Sequence, residues 1–514
     1  MNNWSDKFVL VLGLGETGLS MLRYLSAQGA RLRAADSRSA PAGMSEAAKY
    51  VRPQQLFCGP FSDALFDGID LIAISPGVPL ADPVVARAVA RGIPVVGDIE
   101  LFAQHLQDSG SRIQDPDTHM VRSAESHPVS RILNPAAKVV AVTGSNGKTT
   151  VTAMVTHLCK TAGKDAVAAG NISPAVLDVL MRRGDGQPDI WVLELSSFQL
   201  ETTSTLHADA ATVLNVTEDH LDRYDGMDEY AAAKARVLIG CDVQVLNRDD
   251  GRSMCMARAD MPIITFGLNP PQSSPLRQAQ DRLVREEETH AALEDFGVER
   301  EGDDLWLMQG AQRLMRAGEL QVSGLHNVAN ALAALALCRA IGLEMDALLA
   351  GLRSFKGLPH RVEKVAVIAD ITYYDDSKGT NVGATVAALA GLGKPAVVIL
   401  GGEGKGQDFS PLNAAVKQHA RAAVLIGRDA ELIATALRGC EVSIVRAADM
   451  ADAVRQAAAL AQPHDAVLLS PACASFDMFR NYEHRAEEFI AAVQALTPSA
   501  LSAGEASGEV AWSR

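Results

Sequence analysis

The segment from Lys138 to Cys159 constrains the chain most. An apolar run, Val139–Val142, feeds the glycine loop Gly144-Ser-Asn-Gly147, followed by Lys148, Thr149, Thr150 and a helical stretch. A strand that turns through glycines into a helix N-terminus presents backbone N–H groups to a polyphosphate. Gly144, Asn146, Gly147, Lys148, Thr149 and Thr150 are therefore candidate ATP contacts, with Lys148 on the β- and γ-phosphates and Thr149 on Mg²⁺. The loop is shorter than the general G-x-x-x-x-G-K-[ST] pattern, because only Ser145 and Asn146 separate its glycines.

At 514 residues the chain has room for about three domains, and 48% hydrophobic residues supply their cores. A formal charge of −15 argues against a nucleic acid as the main partner, while leaving room for a local basic pocket. The seven cysteines lie far apart with no C-x-x-C pair and read as reduced thiols of a cytoplasmic protein. No signal peptide is visible. No apolar run reaches about 18 residues, so no membrane insertion is expected.

Strand-like runs at Phe8–Leu12, Arg31–Ala35, Leu71–Ser75 and Pro94–Val96 alternate with helical stretches, which predicts a parallel sheet with crossover helices over residues 1–97. A second α/β unit over residues 98–357 carries the phosphate loop and strands at Ile190–Leu195, Ala211–Asn215 and Val243–Asn247. Its polar stretches 108–135 and 270–302 read as insertions, the first a linker and the second a surface helix. The alanine- and leucine-rich Asn327–Leu343 predicts a buried helix ending near Gly342. After Gly357-Leu-Pro-His-Arg361, strands at Val365–Tyr373, Ala396–Leu400, Ala422–Ile426 and Ala466–Leu469 predict a third α/β unit, 358–497, and residues 498–514 read as a flexible tail.

Other stretches carry chemistry at the ends of strands, where open parallel sheets gather their ligands. Gly13-Leu-Gly15-Glu-Thr-Gly18 follows the first strand, and Asp36 follows the second about twenty residues later, which fits a dinucleotide site, another nucleotide ligand, or a turn with no ligand. Arg38 would suit a phosphate. Glu194, just past an apolar strand, is a candidate Mg²⁺ ligand or a helix-capping acid, and Ser196 follows it. His220, in Asn215-Val-Thr-Glu-Asp-His, could bind a second metal or be structural. Pattern alone makes Lys234, in Tyr230-Ala-Ala-Ala-Lys, a solvated helix lysine. In the third unit Tyr374–Asn381, Gly401–Lys405 and Leu469–Asp477 all follow strands and point to one binding face.

Together, Thr143-Gly-Ser-Asn-Gly-Lys-Thr-Thr, Leu193-Glu-Leu-Ser-Ser-Phe-Gln-Leu-Glu-Thr-Thr, Asn215-Val-Thr-Glu-Asp-His, Gly357-Leu-Pro-His-Arg and Leu469-Ser-Pro-Ala-Cys-Ala-Ser resemble the Mur ligase family of ATP-dependent amide-forming enzymes. The second and last point to the member that adds D-glutamate. The resemblance spans Gly13 to about Phe489 and implies an α/β fold of three domains: a Rossmann-like UDP-binding domain, a central P-loop-type ATPase domain with a mostly parallel sheet, and a C-terminal Rossmann-like domain.

It further implies that Gly13, Gly15, Thr17, Asp36, Ser37 and Arg38, with Asn171 and Ser196, bind a UDP-linked muramoyl substrate rather than NAD. Asn330, Arg361 and Asp376 would meet the adenosine of ATP. Thr380, Lys405, Ser475, Phe476 and Tyr482 would form the D-glutamate pocket, although the family often has Phe where Tyr482 stands. Lys148, Glu194, His220 and Lys234 would be catalytic; Thr149, Glu194, His220 and Lys234 would serve two Mg²⁺ ions, Lys234 as a carbamate because an ammonium cannot coordinate a cation. The implied partners are UDP-N-acetylmuramoyl-L-alanine and D-glutamate, the implied intermediate is an acyl phosphate, and a monomer is expected. Another amino-acid-adding ligase of the pathway, a folylpolyglutamate-type ligase, an NAD(P)-dependent oxidoreductase and an ATP-dependent binding module are the competing readings. The first glycine loop argues against the folate enzyme, the ATP loop against the oxidoreductase, and the two metal positions against a binding module.

Overall fold

The computed structural model describes residues 4–111, 137–184, 186–220, 223–271, 295–322 and 324–496. Five parallel strands, β1 (Phe8–Leu12), β2 (Arg31–Asp36), β3 (Leu56–Cys58), β4 (Leu71–Ile74) and β5 (Val95–Val96), make the first sheet in the order β3-β2-β1-β4-β5. The unbroken apolar run of β1 is explained by cover on both faces. Val9 and Val11 pack with Met21, Leu22 and Leu25 of helix Glu16–Ala27, whereas Leu10 and Leu12 pack with Val85 and Ala88 of helix Pro83–Ala90.

The second sheet holds β6 (Lys138–Thr143), β7 (Ala166–Gly170), β8 (Ile190–Glu194), β9 (Ala210–Val213), β10 (Val243–Asn247) and β11 (Ile263–Phe266), all parallel, in the order β11-β10-β9-β6-β8-β7. A small antiparallel meander, β12 (Phe296–Glu301), β13 (Asp304–Gln309) and β14 (Gln312–Arg316), follows it. Helix Leu325–Ala340 then lies on the helix after the phosphate loop, Lys148–Thr161, burying Val151, Met154, Val155 and Leu158 with Ala331, Leu332 and Leu335. The third sheet contains β15 (Glu363–Ile368), β16 (Ile371–Asp375), β17 (Ala396–Gly401), β18 (Ala420–Ile426), β19 (Ser443–Arg446) and β20 (Ala466–Leu469) in the order β15-β16-β20-β17-β18-β19, parallel except for the edge strand β15.

Three expectations change. The single strand expected at Val365–Tyr373 is a hairpin: Ala369 and Asp370 both adopt positive φ, +50° and +60°, and turn the chain back between β15 and β16. Two consecutive left-handed residues are the signature of a tight hairpin turn, which Ala-Asp does not advertise. The stretch 270–302 is not all insertion, because Phe296–Glu301 is β12; residues 272–294 lie outside the described residues. The expected linker 108–135 begins inside helix Asp98–Ser111, and residues 112–135, like the tail 498–514, lie outside the described residues. The predicted buried helix is present as Leu325–Ala340, and Gly342 at φ +83° follows it.

The first unit docks on the second through Arg23, paired to Asp178 at 2.6 Å, while helix Asp98–Ser111, which leads out of the first sheet, packs Phe102 edge-to-face on Trp191 of β8 with centroids 5.0 Å apart. Among the described residues no helix is long and apolar enough to cross a membrane.

Candidate active site

The phosphate loop leaves β6 between β8 and β9, at the carboxyl edge of the sheet. Gly147 caps helix Lys148–Thr161 at φ +82°, and a Cβ there would stand 2.8 Å from Asn330 Oδ1, so only glycine fits. The loop is braced from the next strand end. Asn146 N–H donates to Asn215 Oδ1 (2.8 Å), Asn215 Nδ2 returns a bond to Asn146 O (3.1 Å), and Ser145 Oγ donates to Thr217 O (3.0 Å). Asn330 reaches the loop from helix Leu325–Ala340, where its Nδ2 also donates to Asn327 Oδ1 (3.2 Å). Lys148 folds back over the loop, donating to Gly144 O (2.8 Å) and Ser145 O (3.0 Å), and Thr150 is buried one helix position beyond Thr149.

Lys234 is not the solvated lysine its pattern suggests. It is 1% exposed, donates to the same Gly144 O at 2.9 Å, and lies over the Tyr230 ring at 4.4 Å. Among the described residues no carboxylate is within ion-pair distance of it. Burial, then repulsion from Lys148, holds its pKa well below the ordinary lysine value and favours the free amine. Helix Met227–Ala235 has no amphipathic stripe in its Ala-rich sequence, so this burial is set by neighbouring elements and not by local pattern.

Glu194 ends β8 and is 2% exposed. Its Oε1 accepts from Asn171 Nδ2 at 3.2 Å, whereas Oε2 is buried with no hydrogen-bond partner among the described residues. A buried carboxylate oxygen left bare is costly unless a cation meets it. The bare Glu194 oxygen, near Lys148 of the phosphate loop, is a hard donor of the kind Mg²⁺ takes, and Thr149 Oγ1 is a second oxygen at the start of the helix after that loop. His220 adopts a left-handed backbone, φ +57°, and packs its ring 4.7 Å from that of Phe198. Burial lowers its pKa, Asp219 opposes that, and Lys405, Lys148 and Lys234 add to it, which keeps the imidazole neutral and able to coordinate. Leu221 and Asp222, next in this motif, lie outside the described residues.

The third unit closes the site. Arg361 Nη2 donates to Thr149 Oγ1 at 2.8 Å, and Asn381 Nδ2 donates to Asn146 Oδ1 at 3.1 Å. Asp376 accepts from Ser470 Oγ (2.6 Å) and Val362 N–H (3.3 Å), and burial pushes its pKa up to about 7 against the pull of Ser470 and Arg361. Lys378 lies 3.6 Å over the Tyr482 ring, its pKa drawn down by burial, then by Arg361, to about 8. Thr380 is half-buried beside it. Ser475 is 3% exposed and Phe476 67% exposed on the neighbouring loop, and Lys405 is exposed with a left-handed backbone, φ +52°.

The first glycine loop is built separately at the end of β1. A Cβ on Gly18 would lie 1.8 Å from Gly13 O, which requires glycine there. Gly15, with open space beside it, precedes helix Glu16–Ala27, whose first turn carries the half-buried Thr17. Asp36 differs from the acceptor of a dinucleotide ribose: Oδ2 takes Leu14 N–H (2.8 Å), Oδ1 takes Arg38 N–H (2.9 Å), and the Arg38 guanidinium grips both oxygens. Arg38, then the Leu14 amide working against burial, hold its pKa near 2, so the group that faces solvent is Arg38, with Ser37 beside it. Asn171 is exposed near Glu194. Ser196 is engaged in a capping box with Gln199, whose side chain accepts from Ser196 N–H (3.1 Å).

Two contributors, Asp98 and Arg485, have no motif to reveal them. Gln199 Nε2 donates to Asp98 (3.1 Å), a fully buried acid whose pKa burial raises to about 6. Arg485, 1% exposed, donates to Ser377 O (2.8 Å), Ser377 Oγ (3.0 Å) and Cys473 O (3.1 Å), joining two loops of the third unit. Buried polar pairs between distant segments leave no periodic signal in a sequence.

Three family models match the chain: Mur ligase MurD-like N-terminal domain over residues 7–97, Mur ligase middle domain over 142–338, and Mur ligase glutamate ligase domain over 360–473. The chain is 54% identical over 510 residues to the UDP-N-acetylmuramoylalanine–D-glutamate ligase of Nitrosospira multiformis, covering 98% of this chain and 99% of that one. It is 53% identical over 496 residues to the protein of the same name from Thiobacillus denitrificans, covering 96% and 97%. Among solved structures it shares the fold of a pseudomurein peptide ligase type C from Methanothermus fervidus (TM-score 0.54, 17% identity) and of the UDP-N-acetylmuramate–alanine ligase of Thermotoga maritima (TM-score 0.53, 18% identity), each match covering 96% of this chain and 100% of the other. With near-complete coverage at this identity and models matching in all three units, the chain belongs to the Mur ligase family.

Proposed function

We propose that this chain joins D-glutamate to the alanyl carboxylate of UDP-N-acetylmuramoyl-L-alanine, using ATP and releasing ADP and phosphate, as a cytoplasmic, monomeric enzyme of peptidoglycan precursor synthesis. The names of its full-length relatives support the substrates. The observation that carries the chemistry is the bare, buried Glu194 Oε2 beside a phosphate loop to which Lys148 and Lys234 both bond.

The three units divide the work at residues 1–97, 98–357 and 358–497. Arg38, Ser37, Gly15 and Thr17 take the uridine nucleotide, with Asn171 and Ser196 along the muramoyl arm. Gly144–Thr150, Asn330, Arg361 and Asp376 take ATP. Thr380, Lys405, Ser475, Phe476 and Tyr482 take D-glutamate, where Lys405 supplies the cation that an acidic side chain needs. When bound, two Mg²⁺ ions would neutralise phosphate charge, held by Thr149 and Glu194 on one side and by His220 and the Lys234 carbamate on the other.

Lys234 suits carbamylation because its amine is buried and its pKa is drawn well below the ordinary lysine value, which favours the nucleophilic free amine. The nitrogen lone pair adds to the carbon of CO₂, the amine proton leaves, and the product is an anionic oxygen ligand. Lys148 is placed to hold the transferring phosphoryl group against the alanyl carboxylate, giving an acyl phosphate. The D-glutamate amine then attacks that carbonyl, and phosphate leaves from the tetrahedral intermediate. Both steps gather negative charge, which Lys148 and Arg361 stabilise from fixed positions. Arg361 and Asn381 hold the third unit against the loop, which keeps water from the acyl phosphate.

The test is phosphate release from purified protein with ATP, Mg²⁺ and UDP-N-acetylmuramoyl-L-alanine, with D-glutamate, L-glutamate or a diamino acid in separate reactions. Release with D-glutamate alone, with an amide product, is the expected result. Release only with another amino acid would overturn the assignment within the family.

A further inference from the structure

The proposed amino-acid pocket is assembled from three loops of the third sheet: 376–381 after β16, 402–410 after β17, and 470–476 after β20. Backbone bonds lace them in pairs. Ala472 N–H donates to Gly379 O (3.0 Å), Gly401 N–H to Pro471 O (2.8 Å), and Glu403 and Ala474 exchange N–H···O bonds, 2.9 Å each way. One side chain of the 402–410 loop bridges the helix start that follows 376–381 and the 470–476 loop. Gln407 Oε1 accepts from Val382 N–H at 2.9 Å, and its Nε2 donates to Ala472 O at 2.7 Å.

Both contacts serve buried backbone that needs a partner or support. Val382 is the first residue of helix Val382–Gly391, whose N-cap Asn381 accepts from Ala384 N–H, so Val382 N–H is one of the helix donors with no partner inside the helix. Ala472 is held in the left-handed region at φ +59°, a conformation that costs about 1 kcal/mol or more for a non-glycine residue and needs support around it. Lys405, two residues before Gln407, also has positive φ, +52°. A loop with a strained cation at its tip is thus tied at Gln407 to the residue after Thr380–Asn381 and to the segment that leads into Ser475.

We infer that Gln407 is a positioning residue of the amino-acid pocket: its amide sets Lys405, Thr380 and Ser475 in register for the incoming amino acid. The inference rests on the proposed function and adds to it a residue that touches no reacting atom. Truncation should act on amino-acid binding and leave the nucleotide sites alone, because neither Gln407 contact belongs to the phosphate loop or to the first unit.

The experiment is steady-state kinetics of the full-length protein with Gln407→Met, which keeps length without either hydrogen bond, and with Gln407→Glu, whose carboxylate has no proton to give Ala472 O. The KM for D-glutamate should rise about ten-fold, the scale of one to two lost hydrogen bonds, while the KM for ATP and for UDP-N-acetylmuramoyl-L-alanine stay within about two-fold. A D-glutamate KM unchanged in both variants, or all three KM values rising together, would overturn the inference. A loss of folding in Gln407→Met leaves Gln407→Glu, which retains the acceptor for Val382, to decide by the same KM split. The wild-type control separates the two claims. If it turns over a different amino acid, the function assignment fails and the positioning role is judged on that amino acid's KM.

Discussion

Replacing Lys234 by Met separates a buried ligand from a buried structural cation. Among the described residues the amine makes one hydrogen bond, to Gly144 O at 2.9 Å, and that carbonyl keeps a second donor in Lys148 Nζ at 2.8 Å, so removal orphans none of them. The lost bond is worth about 1 kcal/mol. Against it, burial depresses the pKa, and each unit of depression corresponds to about 1.4 kcal/mol of penalty on the charged form. That penalty is full below the folded-state pKa and vanishes as pH rises towards the ordinary lysine value, where both states are neutral. At pH 7 to 8 the substitution should therefore be neutral or stabilising, with Tm no more than about 4 °C below wild type. Breaking a buried ion pair would instead cost about 3–5 kcal/mol. Activity should fall about 10²–10³-fold or more, the scale of losing a group that stabilises transition-state charge. Differential scanning calorimetry beside the phosphate-release assay reads both. Near wild-type turnover would refute a ligand role, and a Tm loss of about 10 °C would refute the argument that the amine is structurally dispensable. In Lys234→Ala, a short-chain carboxylic acid should restore part of the activity and bicarbonate should not.

Asp98→Asn keeps an acceptor for Gln199 but removes a buried acid whose pKa is raised to about 6. A raised carboxyl weakens the fold as pH climbs from about 4 to 6 and stays fully unfavourable above that. The variant should flatten Tm across that window and be more stable at pH 8 by on the order of 3 kcal/mol; equal Tm at pH 8 would contradict this. Arg361→Ala cuts the 2.8 Å bond to Thr149 and one of the two described side-chain ties to the phosphate loop, and should lower kcat/KM for ATP about 10²-fold while leaving the affinity of the UDP substrate, measured by calorimetry without ATP, unchanged. Ser196→Ala, which loses a capping box, should cost about 1 kcal/mol in urea unfolding, and no measurable change would mean that Gln199 holds the turn alone.

The sequence is most readable where one short segment carries both fold and chemistry. Val139–Thr150 announces a strand, a loop and a helix start because phosphate binding needs all three in order, and β1, β6, β8 and β17 are apolar runs because helices cover both faces. It is least readable where packing overrides local pattern. Lys234 reads as solvent-facing in an alanine helix and is buried under Tyr230 and Gly144. The Ala369–Asp370 turn hides inside what looks like one strand, and Phe296–Glu301 hides at the end of a polar stretch. The pairing of both Asp36 oxygens with Leu14 N–H and Arg38 is likewise not announced by the glycine loop. Gln407 and Asp98 carry no motif at all, since their partners are 65 and 101 residues away.

The proposed function has the alanyl carboxylate activated by phosphorylation and then passed to D-glutamate. UDP-N-acetylmuramoyl-L-alanine labelled with ¹⁸O in that carboxylate, incubated with ATP, Mg²⁺, D-glutamate and the enzyme, tests it in a single reaction read by mass spectrometry. A D-glutamyl amide and inorganic phosphate carrying one ¹⁸O are expected. Amide formed together with unlabelled phosphate would contradict it.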